Sequence, residues 1–253
     1  MAARDACLQL KARLAGFAAA QWAVPTERVH LVADGIEAVT HDGVRHRWSF
    51  AELAHAAWFH RISLSAQGFY RTPKIHWNAQ TFKGHPFYYF AYGAACAQVA
   101  IDTLTGEMKV ERVDILHDVG SSLNPALDRG QIEGAFVQGM GWLTSEALVW
   151  LDDGRLATHA PSTYKIPTAA DVPSVWNVAL VENSPNREDT IFHSKAVGEP
   201  PLMLALSTFF ALRDAVAAAL GPGARPQLDA PATPEAILRA LNPKTAVDRF
   251  SPP

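Results

Sequence analysis

The sequence predicts an α+β fold, in which mixed helices alternate with antiparallel hairpins. Two turn motifs, Asp34-Gly35 and Asp42-Gly43, interrupt short strand-like runs, and Asp-Gly pairs favour hairpin turns. The motif Ser49-Phe50-Ala51-Glu52 has the spacing of a capping box, which is typical of a helix start. A proline pair that begins at Pro200 precedes a long apolar run, and proline is tolerated in the first turn of a helix.

Length and composition describe a globular chain with no strong long-range charge. The 253 residues and 49% hydrophobic content are enough for one large or two ordinary domains. A net charge of −3 favours neither nucleic acid nor an anionic membrane as a partner, and we expect no membrane-spanning segment and a cytoplasmic location. The two cysteines, Cys7 and Cys96, predict neither a disulfide framework nor an iron–sulfur site.

The first half of the chain alternates helix and strand signals. Apolar residues at helical spacing predict a helix over residues 2–21, and two or three antiparallel strands follow over residues 28–48. The capping box predicts a short helix that ends at Phe59. Residues 62–86 combine aromatic side chains with turn formers, and this composition predicts an ordered loop that packs over another element.

The second half predicts one long hairpin and three helices. The hairpin covers residues 87–117 with its turn at Thr105-Gly106, and its apolar content predicts burial of both faces. The other predicted elements are a helix at 126–142, a strand at 175–180, a buried helix from Leu202 to Leu220 and a helix at 234–241. Residues 243–253 are predicted to be a frayed tail.

Three of the four glycines in the predicted helix 126–142 mark it as unusual. Gly134, Gly139 and Gly141 each cost about 1 kcal/mol relative to alanine, so close approach of a backbone or a ligand is the expected reason for them. Gln138 lies between them as a candidate buried amide, for which a satisfied core amide and a ligand contact are both open interpretations. A dinucleotide-binding loop is excluded, because the third glycine and the preceding strand are missing.

Glu199 is the candidate catalytic residue. It stands between Gly198 and the proline pair, at the start of an apolar helix that is predicted to be buried and to aim its first residue inward. A carboxylate in that setting is typical of a general base, although a Glu that only complements the helix dipole has the same position. The ten histidines lack the spacing of a zinc site, so no metal ligand is predicted from this chain.

Several stretches together resemble the xanthine dehydrogenase family of molybdenum hydroxylases. They are Ser63 to Pro73, Asp118 to Pro125, Gly134 to Gly141, Pro161 to Pro167, Ser194 to Leu202 and Leu228 to Glu235. The resemblance implies that residues 1–253 are the C-terminal portion of a molybdopterin-binding domain. It also implies that the upstream half, with its glycine-rich cofactor loops and substrate-clamping side chains, is missing from a fragment or split gene product.

The resemblance also implies roles for residues and partners. Glu199 matches the catalytic base of the family, and Gln138, Gly139 and Gly198 match its cofactor-binding positions. The implied reaction is hydroxylation of hypoxanthine and xanthine to urate at the molybdenum cofactor. Electrons would pass to Fe-S clusters, FAD and NAD on a partner chain or domain, within a higher oligomer of the complete enzyme. An aldehyde oxidase-like hydroxylase and a non-catalytic structural or assembly fragment are the alternatives.

Overall fold

A computed structural model describes residues 1–242, and it divides the chain into two compact units, Met1–Tyr88 and Tyr89–Pro253. The predicted tail at 243–253 lies outside the described residues. Both units combine helices with small sheets, so the predicted α+β class is confirmed.

The first unit packs two helices on a three-stranded antiparallel sheet. Its elements are α1 (Ala2–Trp22), β1 (Val29–Val32), β2 (Gly35–Val39), β3 (Arg45–Ser49) and α2 (Phe50–Phe59). Ser49 Oγ accepts the Glu52 amide at 3.2 Å, and the Glu52 carboxylate accepts the Ser49 amide at 2.8 Å. The predicted capping box is therefore confirmed. Phe17, Ile36 and Leu53 lie in the core that α1, β2 and α2 share.

The aromatic segment after α2 is held by its backbone rather than by its rings. Arg13 of α1 donates to the carbonyl oxygens of Ser63 and Ser65 at 2.9 and 2.7 Å, and the segment later forms a small hairpin of β4 (His76–Asn78) and β5 (Lys83–His85). The side chains of Phe69 and Phe82 are exposed. The prediction that this segment packs over another element therefore holds for its backbone but is wrong for these two rings.

The second unit is built on a three-stranded sheet. Its elements are β6 (Gly93–Ile101), β7 (Met108–His117), α3 (Pro125–Thr144), β8 (Val175–Leu180), α4 (Leu206–Leu220) and α5 (Pro234–Leu241). β7 lies in the centre, antiparallel to β6 and parallel to β8. Val113, Ile132, Phe136 and Ala205 belong to one core cluster, which joins this sheet to α3 and to the turn before α4.

The predicted burial of both faces of the β6–β7 hairpin is wrong. Along β6, exposed and half-buried residues alternate, because only one face of the sheet packs against helices. The other face is polar at its centre, where Arg112 and Asn177 donate to Asp114. Apolar residues can lie on both faces of an antiparallel pair of strands. Here the helices of the second unit cover only one face of the β6–β7 pair.

The apolar helix after Glu199 differs from its prediction in the same way. Pro200–Ala205 forms a 3₁₀ helix that continues into α4, and only one face of α4, with Thr208, Leu212 and Val216, is buried. Met203 and Phe210 are exposed, so the prediction of a helix buried all round is wrong.

The expectation that no stretch approaches the apolar length of a membrane span also needs correction. By length and composition Pro200–Leu220 could cross a membrane, because this segment of 21 residues contains an 18-residue window with a mean hydropathy of 1.6. Core helices of folded domains meet the same criterion, and here Leu212 and Val216 belong to a core cluster that also contains Ile237 of α5.

Candidate cofactor-binding and catalytic site

Glu199 lies at the start of the continuous helical segment, as the proline pair predicts. It is the N-cap residue of the 3₁₀ helix, and its carbonyl oxygen accepts the Leu202 amide at 3.1 Å. Its side chain is exposed, so the expectation that a buried helix aims this residue inward is wrong within this chain. The reason is the partial cover of the helix: no element of residues 1–242 buries the face on which Glu199 lies.

Gln138 lies in the second turn from the end of α3 and is also exposed. Asn124 caps this helix, because its Oδ1 accepts the amides of Ala126 and Leu127 at 3.2 Å each. Ile132, Phe136 and Met140 form the buried face of α3, and Gln138 points away from that face. The interpretation of Gln138 as a satisfied core amide is therefore wrong, and the interpretation as a ligand contact stays a prediction.

Gly134, Gly139 and Gly141 of α3 have three different environments. A Cβ atom on Gly139 would overlap the carbonyl oxygen of Leu202 and lie 2.8 Å from Ala205 Cβ, so this glycine permits close packing of α3 on the 3₁₀ helix. A Cβ on Gly141 would overlap Glu146 and lie within 3 Å of Pro167. Apart from its chain neighbours and the backbone of α3 itself, no described atom lies within 4 Å of the Cβ position of Gly134, which leaves open space beside the helix.

Gly198 places the segment before Glu199 beside the exposed face of α3. Its Cβ position lies 3.6 Å from Gln131 Oε1. Gln131 precedes Gln138 by seven residues, which is two helical turns, so both amides lie on one face of α3. Through the Gly198 and Gly139 contacts, the segment that carries Glu199 and the helix that carries Gln138 pack directly on each other.

A buried ion pair supports this segment, and it was missed by the sequence reasoning. Asp118 follows β7, and its Oδ2 lies 2.5 Å from the ammonium of Lys195, with both side chains 9% exposed. The Gly120 amide donates to Asp118 Oδ1 at 2.8 Å, and the ammonium lies 5.3 Å from the ring centroid of Tyr92. Asp118 and Lys195 each lie in a motif that carries the family resemblance. One charged residue in each motif was the available sequence signal for an ion pair.

Burial and charge affect the titration of Asp118 and of its neighbour His117. Burial alone would raise the pKa of Asp118, but hydrogen bonds from Lys195, Gly120 and Ser184 outweigh it and hold this pKa below its usual range. Burial lowers the pKa of His117, and the charge of Lys195 adds to that effect although Asp118 opposes it. Among the described residues, no hydrogen-bond partner reaches either ring nitrogen of His117.

Comparison with known proteins identifies several long relatives. Xanthine dehydrogenase/oxidase of Felis catus is 50% identical over 209 residues, which cover 80% of this chain and 15% of that protein. Xanthine dehydrogenase/oxidase of Rattus norvegicus is 52% identical over 195 residues, which cover 75% of this chain and 14% of that protein. The chain thus spans about 15% of the length of the curated relatives it matches.

Solved structures agree on the fold. Aldehyde oxidoreductase from Desulfovibrio gigas is 28% identical with a TM-score of 0.58, over 80% of this chain and 20% of that one. Quinoline 2-oxidoreductase from Pseudomonas putida 86 has the same TM-score at 23% identity, over 92% of this chain and 28% of that one, and shows the fold alone. The molybdopterin cofactor-binding domain family matches residues 1–173. This chain therefore belongs to the molybdopterin cofactor-binding domain family.

Proposed function

We propose that the chain forms part of a purine-oxidising molybdenum hydroxylase, in which Glu199 is the general base and Gln138 binds the molybdenum cofactor. The observation that carries the proposal is the packing of the Gly198–Ala205 segment on α3, since the two glycine contacts join the elements that bear these side chains. The relatives named xanthine dehydrogenase/oxidase favour a purine substrate over an aldehyde. A cytoplasmic location and no nucleic-acid or membrane partner belong to the same proposal.

The residues of this face fit a pterin-type cofactor. An amide presents both donors and an acceptor, which suits the edge of a heterocycle, and Gln131 and Gln138 expose two such groups on one face of α3. Gly134 lies between them and leaves open space for a ring system. Gly139 differs, because Leu202 and Ala205 fill the space beside it; packing accounts for that glycine, and its role in cofactor binding stays a prediction.

The protein supplies proton transfer and orientation, while the cofactor supplies the electron chemistry. When it is bound, the molybdenum cofactor provides the two-electron oxidation of the substrate. The Glu199 carboxylate accepts the proton that the attacking oxygen loses, and the helix start holds that carboxylate at one end of a rigid element. Fe-S clusters and FAD on a partner chain or domain would carry the electrons to NAD.

Glu199→Gln in the cofactor-loaded enzyme tests the proposal. The amide keeps the shape of the side chain but cannot accept the proton, so turnover of xanthine should fall by about 10²- to 10⁴-fold at unchanged molybdenum content. Glu182→Gln is the matched control, because Glu182 is another exposed carboxylate of the same unit, and its turnover should not change. Near-normal turnover of the Glu199 variant would refute the assignment, and faster oxidation of aldehydes than of xanthine would refute the purine substrate.

A further inference from the structure

The buried ion pair of Asp118 and Lys195 joins two parts of the second unit that are 77 residues apart in sequence. Asp118 directly follows the central strand β7, whereas Lys195 precedes Glu199 by four residues. The ammonium and the carboxylate lie 2.5 Å apart with little exposure to water. The pair therefore ties the segment before the helix to the end of the central strand of the sheet.

Hydrogen bonds of the backbone follow the same connection. The Lys195 amide donates to the Val119 carbonyl oxygen at 2.8 Å, and the Ser121 amide donates to the His193 carbonyl oxygen at 3.0 Å. The Ala196 amide then donates to the phenolic oxygen of Tyr89 at 2.9 Å. Residues 193–196 thus form a short strap that lies along residues 119–121.

The strap and residues 119–121 lie so close together that a glycine is needed at position 120. Gly120 has a φ of +65°, and a Cβ at this position would lie 2.5 Å from the His193 carbonyl oxygen. Gly198 makes an ordinary contact with α3, since its Cβ position lies 3.6 Å from Gln131 Oε1, so the segment is held less closely there than at Gly120. Glu199 therefore lies between two fixed points: the ion pair at Lys195 and the Gly139 contact at Leu202.

A buried ion pair is a poor source of stability, because the cost of removing both charges from water offsets most of their attraction. Its geometry is nevertheless well defined here, since Asp118 accepts from Lys195 and from Gly120, and its amide donates to the Tyr92 carbonyl oxygen at 2.8 Å. The neighbouring His117 is buried, and among the described residues neither of its ring nitrogens forms a hydrogen bond that would compete for Asp118 or Lys195. An interaction of this kind fixes position more than it adds stability.

We infer that Lys195 is a positioning residue, which with Asp118 holds the backbone of residues 193–199 so that the Glu199 carboxylate stands where the proton is taken. This inference rests on the proposed function, because it assigns to Lys195 an effect that acts through Glu199. The inference assigns the ion pair no contact with substrate or cofactor.

The test compares Lys195→Met with a control variant, with two double variants and with Glu199→Gln in the cofactor-loaded enzyme. Methionine keeps much of the length of the lysine side chain and removes its charge. Turnover should fall about 10- to 100-fold, the loss that a misplacement of about 1 Å causes, while KM for xanthine and molybdenum content stay within about threefold. Arg155→Met is the control, because Arg155 forms an exposed ion pair with Asp153 in the same unit, and its turnover should not change.

Hydrogen exchange gives a readout that does not depend on activity. Amides of residues 194–199 should exchange at least tenfold faster in Lys195→Met, while those of the buried face of α3 keep their protection. Because Lys195→Met leaves the Asp118 charge buried and unpaired, the double variant Asp118→Asn/Lys195→Met is included to preserve folding. It should show the same faster exchange and the same lower turnover.

Combining Lys195→Met with Glu199→Gln distinguishes the proposed role of Lys195 from the proposed role of Glu199. If Lys195 acts only through Glu199, adding Lys195→Met to Glu199→Gln should lower turnover no further. Additive losses, or unchanged exchange in residues 194–199, or normal turnover in the double Asp118/Lys195 variant would overturn the inference. If Glu199→Gln itself keeps normal turnover, the proposed function fails instead, whatever the Lys195 variants show.

Discussion

Two alanine substitutions in α3 should change stability in opposite directions. Gly139→Ala places a methyl group against the Leu202 carbonyl oxygen and 2.8 Å from Ala205 Cβ, and neither of these atoms can rotate away. Gly134→Ala makes the same chemical change on the same helix, but no described atom lies within 4 Å of the new methyl group. The pair therefore separates the effect of packing from that of helix propensity.

The expected magnitudes follow from this geometry. Alanine is favoured over glycine inside a helix by about 1 kcal/mol, and this gain applies to both variants. Overpacking costs about 1–3 kcal/mol and applies to Gly139→Ala alone. The two variants should therefore differ in the stability of α3 by about 1–3 kcal/mol, which corresponds to roughly 5- to 150-fold in the opening equilibrium of its amides. Gly134→Ala should be the more stable variant.

Hydrogen exchange of the 253-residue chain, followed by mass spectrometry, measures this difference directly in peptides from α3. Peptides from α1 in the first unit provide an internal reference, which neither substitution should change. Equal protection of α3 in the two variants would show that α3 and the 3₁₀ helix do not pack as closely as described. A Gly134→Ala variant that is less stable than the original chain would show that the space beside Gly134 is occupied.

Two further predictions concern the amide face and the buried imidazole. Gln138→Ala in the cofactor-loaded enzyme should lower the molybdenum content, because an unpaired pterin edge weakens cofactor binding by roughly 1–3 kcal/mol. Turnover per bound molybdenum should stay constant. Full molybdenum occupancy with a much lower turnover per molybdenum would instead place Gln138 in the chemical step. Burial lowers the pKa of His117 from its ordinary value of 6.5, so the unfolded chain binds a proton that the folded chain does not, and this contribution to stability is present above pH 6.5 and is lost as the pH falls. Urea unfolding between pH 7.5 and 5 should show this loss, which His117→Leu should reduce; an unchanged pH dependence in that variant would contradict the assignment.

Local signals in the sequence predicted the helices well. The Ser49–Glu52 capping box and the Pro200-Pro201 pair each act within one helical turn, so their physical effect is contained in a few adjacent residues. The hairpin turns at Asp34-Gly35 and Asp42-Gly43 belong to the same class, and three antiparallel strands are present around them. Structure that is determined by neighbours in sequence can be predicted from a single chain.

Burial was predicted poorly, and the reason is physical. The apolar side chains of α4 and of the β6–β7 hairpin show that water is unfavourable around them, but they do not show which element covers them. Met203 and Phe210 are as apolar as Leu212, yet only Leu212 is buried within this chain. The same uncertainty affected Gln138 and Glu199, whose predicted burial depended on the elements that carry them.

The ion pair could not be predicted because its partners are 77 residues apart, and a pairing at that distance depends on the fold of the unit. The candidate site has two parts, the side chains proposed to act and the groups that hold them in place. The side chains proposed to act, Glu199 and Gln138, are exposed. Of the groups that hold their elements, Asp118 and Gly139 are buried, and the side chain of Lys195 is 9% exposed. In the proposed function Glu199 acts as a general base, which is most effective where water is excluded, so we expect a cover over this exposed face. The exposed apolar side chains of the helix after Glu199 make that face suitable for such a cover.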